Sequence, residues 1–274
     1  MVMFLKVKGN KFMNFKIVTW NINSIRLREA LICSYLKEEK PDIICLQECK
    51  CEDDLMPKKN FFDLGYHHFA SSGQKSYNGV AIISKHPLEE IKSVDFCNKG
   101  DARHISAKIL KKITLHNFYI PAGGDIPDRK INKKFDHKLK FLSEMSSFFK
   151  NFGLKKTIIL GDFNIAPLND DVWSHKSLVD VVSHTSIEIK SLDKLKASGN
   201  FQDIVRFHLP EGKLYSWWSY RAKDWKKSNR GRRLDHIWVS KDLVEKAISS
   251  SISTYVRDWK RTSDHVPVLT KFKI

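Results

Sequence analysis

Four short polar islands, each closing an apolar run, constrain this chain more than any other feature: Leu46-Gln47-Glu48, Leu160-Gly161-Asp162-Phe163-Asn164, Arg233-Leu234-Asp235-His236 and Ser263-Asp264-His265-Val266-Pro267. The runs ahead of the first two, Asp42-Ile43-Ile44-Cys45-Leu46 and Thr157-Ile158-Ile159-Leu160, are short, continuous and rich in β-branched residues. That is the pattern of strands buried on both faces. Acids and a histidine thus stand where strands emerge. Carboxylates are seldom buried without a partner, so several converging at strand ends point to a site that needs negative charge. The simplest such site holds a hard divalent cation through oxygen ligands, a hydrolase-like pattern.

The rest of the chain reads as many strands with a few helices. A strand is predicted over 16–20, and Ser24 is placed to cap a helix whose apolar stripe is Ile25, Leu27, Leu31, Tyr35 and Leu36, ending before Pro41. Asn78-Gly79 marks a turn into a strand at 80–83, and 104–110 and 113–120 read as a pair joined at Lys111-Lys112. A second helix is predicted over 132–150, with Phe135, Leu139, Leu142, Met145 and Phe149 on one side and Lys133, Lys134, Lys138 and Lys140 as a solvated face. Strands are expected at 214–220, 234–239, 248–256 and 265–272. Together these elements predict an α/β fold of two packed sheets flanked by helices. Without a linker or repeat, residues 15–274 read as one catalytic domain; 1–14 read as an extension, with 1–12 an upstream start, because Met13-Asn14-Phe15 directly precedes the first strand.

Charge narrows the partners. Forty-eight Lys plus Arg against 31 Asp plus Glu give a net charge of +17 spread along the chain, which favours a polyanion. Nucleic acid is the first candidate, an anionic membrane surface the second, and general solubility the bland alternative. No run approaches the roughly 18 apolar residues of a membrane span, and Val2-Met3-Phe4-Leu5 is too short for a signal-peptide core. Five cysteines, an odd number, predict reduced thiols in the cytoplasm. Cys45, Cys49 and Cys51 lack a second Cys or His pair at finger spacing, which argues against zinc. Between Leu214 and Leu234, Tyr215, Trp217, Trp218, Tyr220 and Trp225 alternate with Arg221, Lys223, Lys226, Lys227, Arg230, Arg232 and Arg233. Basic charge interleaved with aromatics suits phosphate contact plus stacking or wedging at a disrupted base pair.

Taken in order, Trp20-Asn21-Ile22-Asn23, Leu46-Gln47-Glu48-Cys49-Lys50, Tyr77-Asn78-Gly79-Val80-Ala81, Tyr119-Ile120-Pro121, Gly161-Asp162-Phe163-Asn164-Ile165-Ala166-Pro167, Arg233-Leu234-Asp235 and Ser263-Asp264-His265-Val266-Pro267 resemble the exonuclease III family of the endonuclease/exonuclease/phosphatase superfamily. The resemblance covers about residues 15–274. It implies a four-layered α/β sandwich, two packed mixed β-sheets flanked by helices. The implied activity is Mg²⁺-dependent hydrolysis of phosphodiesters in double-stranded DNA at abasic sites, nicks and 3′ ends, with Mn²⁺ as a substitute ion. No membrane and no obligate protein partner are implied.

By the same resemblance Glu48 is the principal metal carboxylate, with Asn21, Asp162, Asn164, Asp264 and His265 around the metal. Asp162 orients or deprotonates the attacking water, and Asn164 lies two residues on, facing the same way along a strand. His265 contacts the scissile phosphate with its ring fixed by Asp235, and Tyr119 donates its phenol to developing negative charge. Trp217 and Leu234 wall a pocket for the flipped abasic sugar, while Arg221, Lys226, Lys227 and Arg232 meet DNA. Asn23 stands where eukaryotic relatives carry an aspartate, and Ala122 where they carry an asparagine; metal number and substrate preference stay open. Superfamily phosphatases of phosphoinositides or other phosphoesters share this machinery, so they are the alternative reading. A non-catalytic nucleic-acid-binding protein is another, and the intact acidic and histidine set counts against it.

Overall fold

Two βαβ crossovers set the architecture in the computed structural model, which describes residues 13–150 and 154–274. Of the extension expected over 1–14, residues 1–12 lie outside the described residues, and Asn14 belongs to the fold instead, pairing with Lys273. The first crossover runs β1 (Asn14–Asn21), α1 (Glu29–Glu39), β2 (Ile43–Gln47); the second runs β7 (Ile113–Tyr119), α3 (Lys133–Lys150), β8 (Thr157–Asp162). Both strand pairs are parallel, and parallel neighbours need a crossover that a helix supplies. Each unit therefore brings two strand C-termini side by side, Asn21 with Gln47 and Tyr119 with Asp162.

Antiparallel strands complete each sheet. β3 (His68–Ser72), β4 (Val80–Ser84), β13 (Ala247–Ile252) and β14 (Val268–Lys273) extend the first to the order β13-β14-β1-β2-β4-β3. β5 (Leu88–Lys92), β6 (His104–Ile109), β9 (Phe201–Asp203) and β12 (Asp235–Ser240) extend the second to β5-β6-β7-β8-β12-β9. A two-stranded ribbon, β10 (Trp217–Trp218) with β11 (Gly231–Arg232), stands apart. Side chains such as Ile17, Ile43, Val80, Leu115, Ile158 and Ile237 form one core between the sheets. Trp20, Tyr35 and Leu36 pack α1 on the outer face of the first sheet, Phe141, Met145 and Leu192 pack α3 and α5 (Ser186–Ser198) on the second, and α2 (Lys58–Phe62) and α4 (His175–Leu178) are short helices in the connections. Burial on both faces explains why the strands read as continuous apolar runs. The result is the expected four-layered α/β sandwich.

Several expectations shift in detail. α1 itself starts at Glu29: Ser24 Oγ accepts the Leu27 N–H (3.4 Å) and so closes a turn that precedes the helix, while the Ser24 and Ile25 N–H groups pair with Glu48 O (2.7 Å) and Cys49 O (3.1 Å) of the chain leaving β2, and Leu27 is exposed. After residue 200 the strand expected at 234–239 stands as β12, whereas those expected at 214–220, 248–256 and 265–272 shorten to β10, β13 and β14, because a 3₁₀-helix takes over at Thr254–Asp258 and the 263–267 island precedes β14. β3 and β5 were not legible, since β3 is polar and β5 is an exposed edge strand. The solvated lysine face also fails at one position: Lys138 is fully buried. Among the described residues, no helix is long and apolar enough to cross a membrane.

Candidate active site

The ends of the two crossovers meet, and side chains bridge them. Asn21 Nδ2 donates to Glu48 Oε1 and to Asp162 Oδ2, both at 2.9 Å, while the Tyr119 hydroxyl donates to Glu48 Oε1 at 2.9 Å. Just below, Gln47 Nε2 reaches Asn117 Oδ1 (2.7 Å), and Asn117 donates to Leu46 O and Ala81 O, locking the sheets together. Gly161 makes the close approach to β7 achievable: at φ 138° its added Cβ would lie 1.9 Å from Phe118 O. Asp162 and Asp235 are register partners on β8 and β12.

His265 stands between these aspartates, its Nδ1 2.8 Å from Asp235 Oδ2 and its Nε2 3.7 Å from Asp162 Oδ2. Trp20 Nε1 fixes its carbonyl (3.0 Å), and Ser263 Oγ accepts its N–H (3.2 Å). Asn164 is not on a strand, because β8 ends at Asp162 and Asn164 has φ 54°. From that turn its N–H meets Asp162 Oδ1 (2.9 Å) and its Nδ2 meets Asp162 Oδ2 (3.1 Å) and Ile120 O (3.0 Å). Asp264 is held to one side, accepting from Asn23 Nδ2 (3.3 Å) and Trp217 Nε1 (3.0 Å).

These contacts divide the charges. Burial raises the Asp162 carboxyl; His265 opposes this, Asp235 adds to it, and the net shift is upward. Burial would lower His265, but Asp235 and then Asp162 outweigh it and favour the imidazolium. At Glu48 the upward push of burial is overcome by Lys50, Asn21 and His265, which hold the carboxylate below its ordinary range. Burial, Glu48 and Asp162 push the Tyr119 phenol well up, so it remains a proton donor.

Two places favour a cation. Among the described residues, Asp162, Asp235 and His265 form a grouping whose ligand atoms lie within 4.8 Å of one another and which has the chemistry to hold a metal ion; the His265 ring lies between the two carboxylates. Glu48 is the other, because its Oε2 already meets the partly exposed Lys50 ammonium at 2.9 Å. The oxygen donors on Glu48, Asn21 and Asp264 suit a hard divalent ion, so the residue set fits the expected metal.

The DNA-contact candidates separate by environment. Arg221 and Lys227 are exposed, and Lys226 is exposed but paired with Asp258 at 2.7 Å. Arg232 is committed to the fold: its Nη1 donates to Val182 O (2.9 Å) and Ser183 Oγ (2.7 Å) and its guanidinium lies over Trp217. Leu234 is buried with Ala166, Val172 and Leu178, and Trp217 packs against that cluster. Lys50 and Arg233 both stand in the motifs read from the sequence, but sequence reasoning gave Lys50 no role and missed the buried network around Arg233. It also missed Lys138, whose helical position beside Leu139 and Leu142 was the available signal.

A sandwich whose strand ends gather carboxylates, an imidazolium and a phenol defines a hydrolytic class of enzyme. The match is specific: residues 18–265 fit the endonuclease/exonuclease/phosphatase family model, and the chain belongs to that family. It is 29% identical to an exodeoxyribonuclease III of Haemophilus influenzae, covering 94% of this chain and all of that protein. Among solved structures it is similar to an AP endonuclease from Archaeoglobus fulgidus (TM-score 0.88, 32% identity, 95% of this chain and 100% of that one). It is also similar to a 3′ phosphatase from Neisseria bound to product DNA hairpin (TM-score 0.87, 30% identity, 94% and 99% covered).

Proposed function

We propose that this protein is a DNA repair nuclease that hydrolyses phosphodiesters at abasic sites and removes nucleotides from 3′ ends of duplex DNA. The observation that carries the choice of DNA is the junction between the hydrolytic centre and the basic aromatic segment. There Trp217 Nε1 donates to Asp264 (3.0 Å) and Trp217 bridges to His265 through the backbone. A substrate backbone held by that segment would lie against Asp162 and His265.

In this reading Asp162, with its carboxyl raised and its oxygens aimed by Asn21 and Asn164, takes a proton from the attacking water. His265, kept cationic by Asp235, donates to a phosphate oxygen where charge grows. Tyr119 donates its phenol to the same developing charge. Glu48, Asn21 and Asp264 would hold Mg²⁺, with Mn²⁺ as a substitute, and the bound ion would supply Lewis-acid stabilisation of developing negative charge. The free thiols Cys33, Cys45, Cys49, Cys51 and Cys97 suit a reducing cytoplasm.

The test is a panel of abasic, nicked and 3′-recessed duplexes and a phosphoinositide, each with Mg²⁺, Mn²⁺ or excess chelator. Incision of the abasic duplex and 3′ shortening are expected, with metal required and the phosphoinositide untouched. Phosphoinositide hydrolysis without DNA cleavage, DNA binding without turnover, or full activity in chelator would overturn the reading.

A further inference from the structure

Lys138 lies in the middle of α3 with no exposed surface, and its ammonium reaches out of the helix toward the active centre. Its Nζ donates to Asn164 O (2.8 Å), Ala122 O (3.2 Å) and Glu188 Oε1 (2.5 Å). Those carbonyls belong to the two turns that leave the catalytic strands: Ala122 follows Tyr119 after β7, and Asn164 follows Asp162 after β8. Glu188, at the start of α5, accepts the Ser183 and Thr185 N–H groups and the Thr185 hydroxyl. Ser183 O in turn accepts the Ala166 N–H at 2.8 Å. The Lys138 stem is also shaped to the first turn, for a Cβ on Gly123 would stand 3.0 Å from Lys138 Cδ.

A buried lysine is costly unless paired and hydrogen-bonded. A leucine here would pack α3 against the sheet without that cost. The ammonium does something leucine cannot, which is to draw two carbonyls together and fix the left-handed turn at Asn164. That turn points Asn164 Nδ2 at Asp162 Oδ2. We infer that Lys138, braced by Glu188, is a positioning residue that holds the 120–124 and 163–166 turns in register so that Asn164 aims the Asp162 carboxylate at the attacking water. The inference rests on the roles given above to Asp162 and Asn164.

The test compares wild type, Lys138→Met and the double variant Lys138→Met/Glu188→Gln, which leaves no unpaired buried charge. Single-turnover incision of an abasic duplex, duplex affinity, thermal unfolding and the Asn164 side-chain amide resonances are measured on each. The single-turnover rate is expected to fall about 10- to 100-fold in both variants, the scale of a small misplacement of a reacting group. Duplex affinity should stay unchanged, and the Asn164 amide signals should shift even in the folded double variant. A rate that falls only with the unfolded fraction, or unchanged Asn164 signals in a folded double variant, overturns the inference. Failure of wild type to cut abasic DNA would strike the nuclease reading instead, and the Asn164 signals would still report on positioning.

Discussion

Asp235 and His236 are neighbours on β12, yet they face two buried charge clusters of opposite character. His236 looks toward Arg233, Arg206, Asp171 and Asp203. There Asp171 receives four guanidinium contacts of 2.6–3.0 Å from Arg206 and Arg233, plus the Leu168 N–H, while Arg233 Nη1 also meets Asp203 at 2.9 Å. Burial would raise both carboxyls, but the Arg233 cation leads the contacts that hold Asp171 and Asp203 below their ordinary range. Asp235 looks the other way, into the active centre, where Asp162 is shifted upward and Asp235 Oδ1 is buried with no hydrogen-bond partner. Buried polar groups are normally satisfied. The cluster that obeys this rule braces the fold, and the one that departs from it is where chemistry is expected.

The largest expected effect lies in the unsatisfied cluster. His265→Asn should lower the single-turnover incision rate per folded molecule by about 10²–10⁴-fold, and Asp235→Asn should give a milder defect. The double variant should resemble His265→Asn alone, because residues acting as a unit are not additive. Full additivity would break the pairing. In the satisfied cluster Arg233→Met should cost about 3–5 kcal/mol in urea unfolding, the usual result of leaving a buried partner unpaired. The molecules that remain folded should cut at the wild-type rate.

Acidity sharpens the contrast. Asp171 and Asp203 have depressed folded values, so their stabilisation is present above the unfolded carboxyl range near about 4 and is lost as pH falls through the folded values below it. Stability should therefore drop below about pH 4, and Arg233→Met should flatten that drop. The raised Asp162 carboxyl acts in the opposite sense: the unfolded chain ionises first, so folding loses stability as pH rises from about 4 toward neutral. The smallest effect concerns the exposed basic segment. Replacing Arg221, Lys226 and Lys227 with Ala should lower the logarithmic salt slope of duplex binding by about 1.8, two phosphate contacts' worth, since Lys226 already has Asp258. An unchanged slope would return the segment to a solvated face.

Strands buried on both faces announced themselves as apolar runs, and the islands that close them announced the site, because both signals are local. β2 and β8 were legible for that reason, as were Glu48 and Asp162 at their ends. What escaped was decided by distant partners. Ser24 caps only a turn, through the Leu27 N–H, and the helix begins at Glu29 because the Ser24 and Ile25 N–H groups are held by Glu48 O and Cys49 O, 24 residues away in sequence. Lys138 sits in a lysine-rich stretch, and although its place beside Leu139 and Leu142 puts it near the buried side of the helix, the partners that hold its ammonium, Glu188 and two turn carbonyls, are remote in sequence. The edge strand β5 lacks the alternation that a half-buried strand shows, because its side chains are mostly exposed.

The same substitution at two buried aspartates tests the division most directly: unfolding free energy and single-turnover incision of an abasic duplex, measured near pH 7 for Asp162→Asn and Asp171→Asn. The account predicts that Asp162→Asn loses cutting while gaining stability in metal-free protein, as its raised carboxyl implies. Asp171→Asn should lose stability and keep the wild-type rate per folded molecule. A folded Asp171→Asn that cannot cut, or an Asp162→Asn that cuts normally or unfolds, would contradict it.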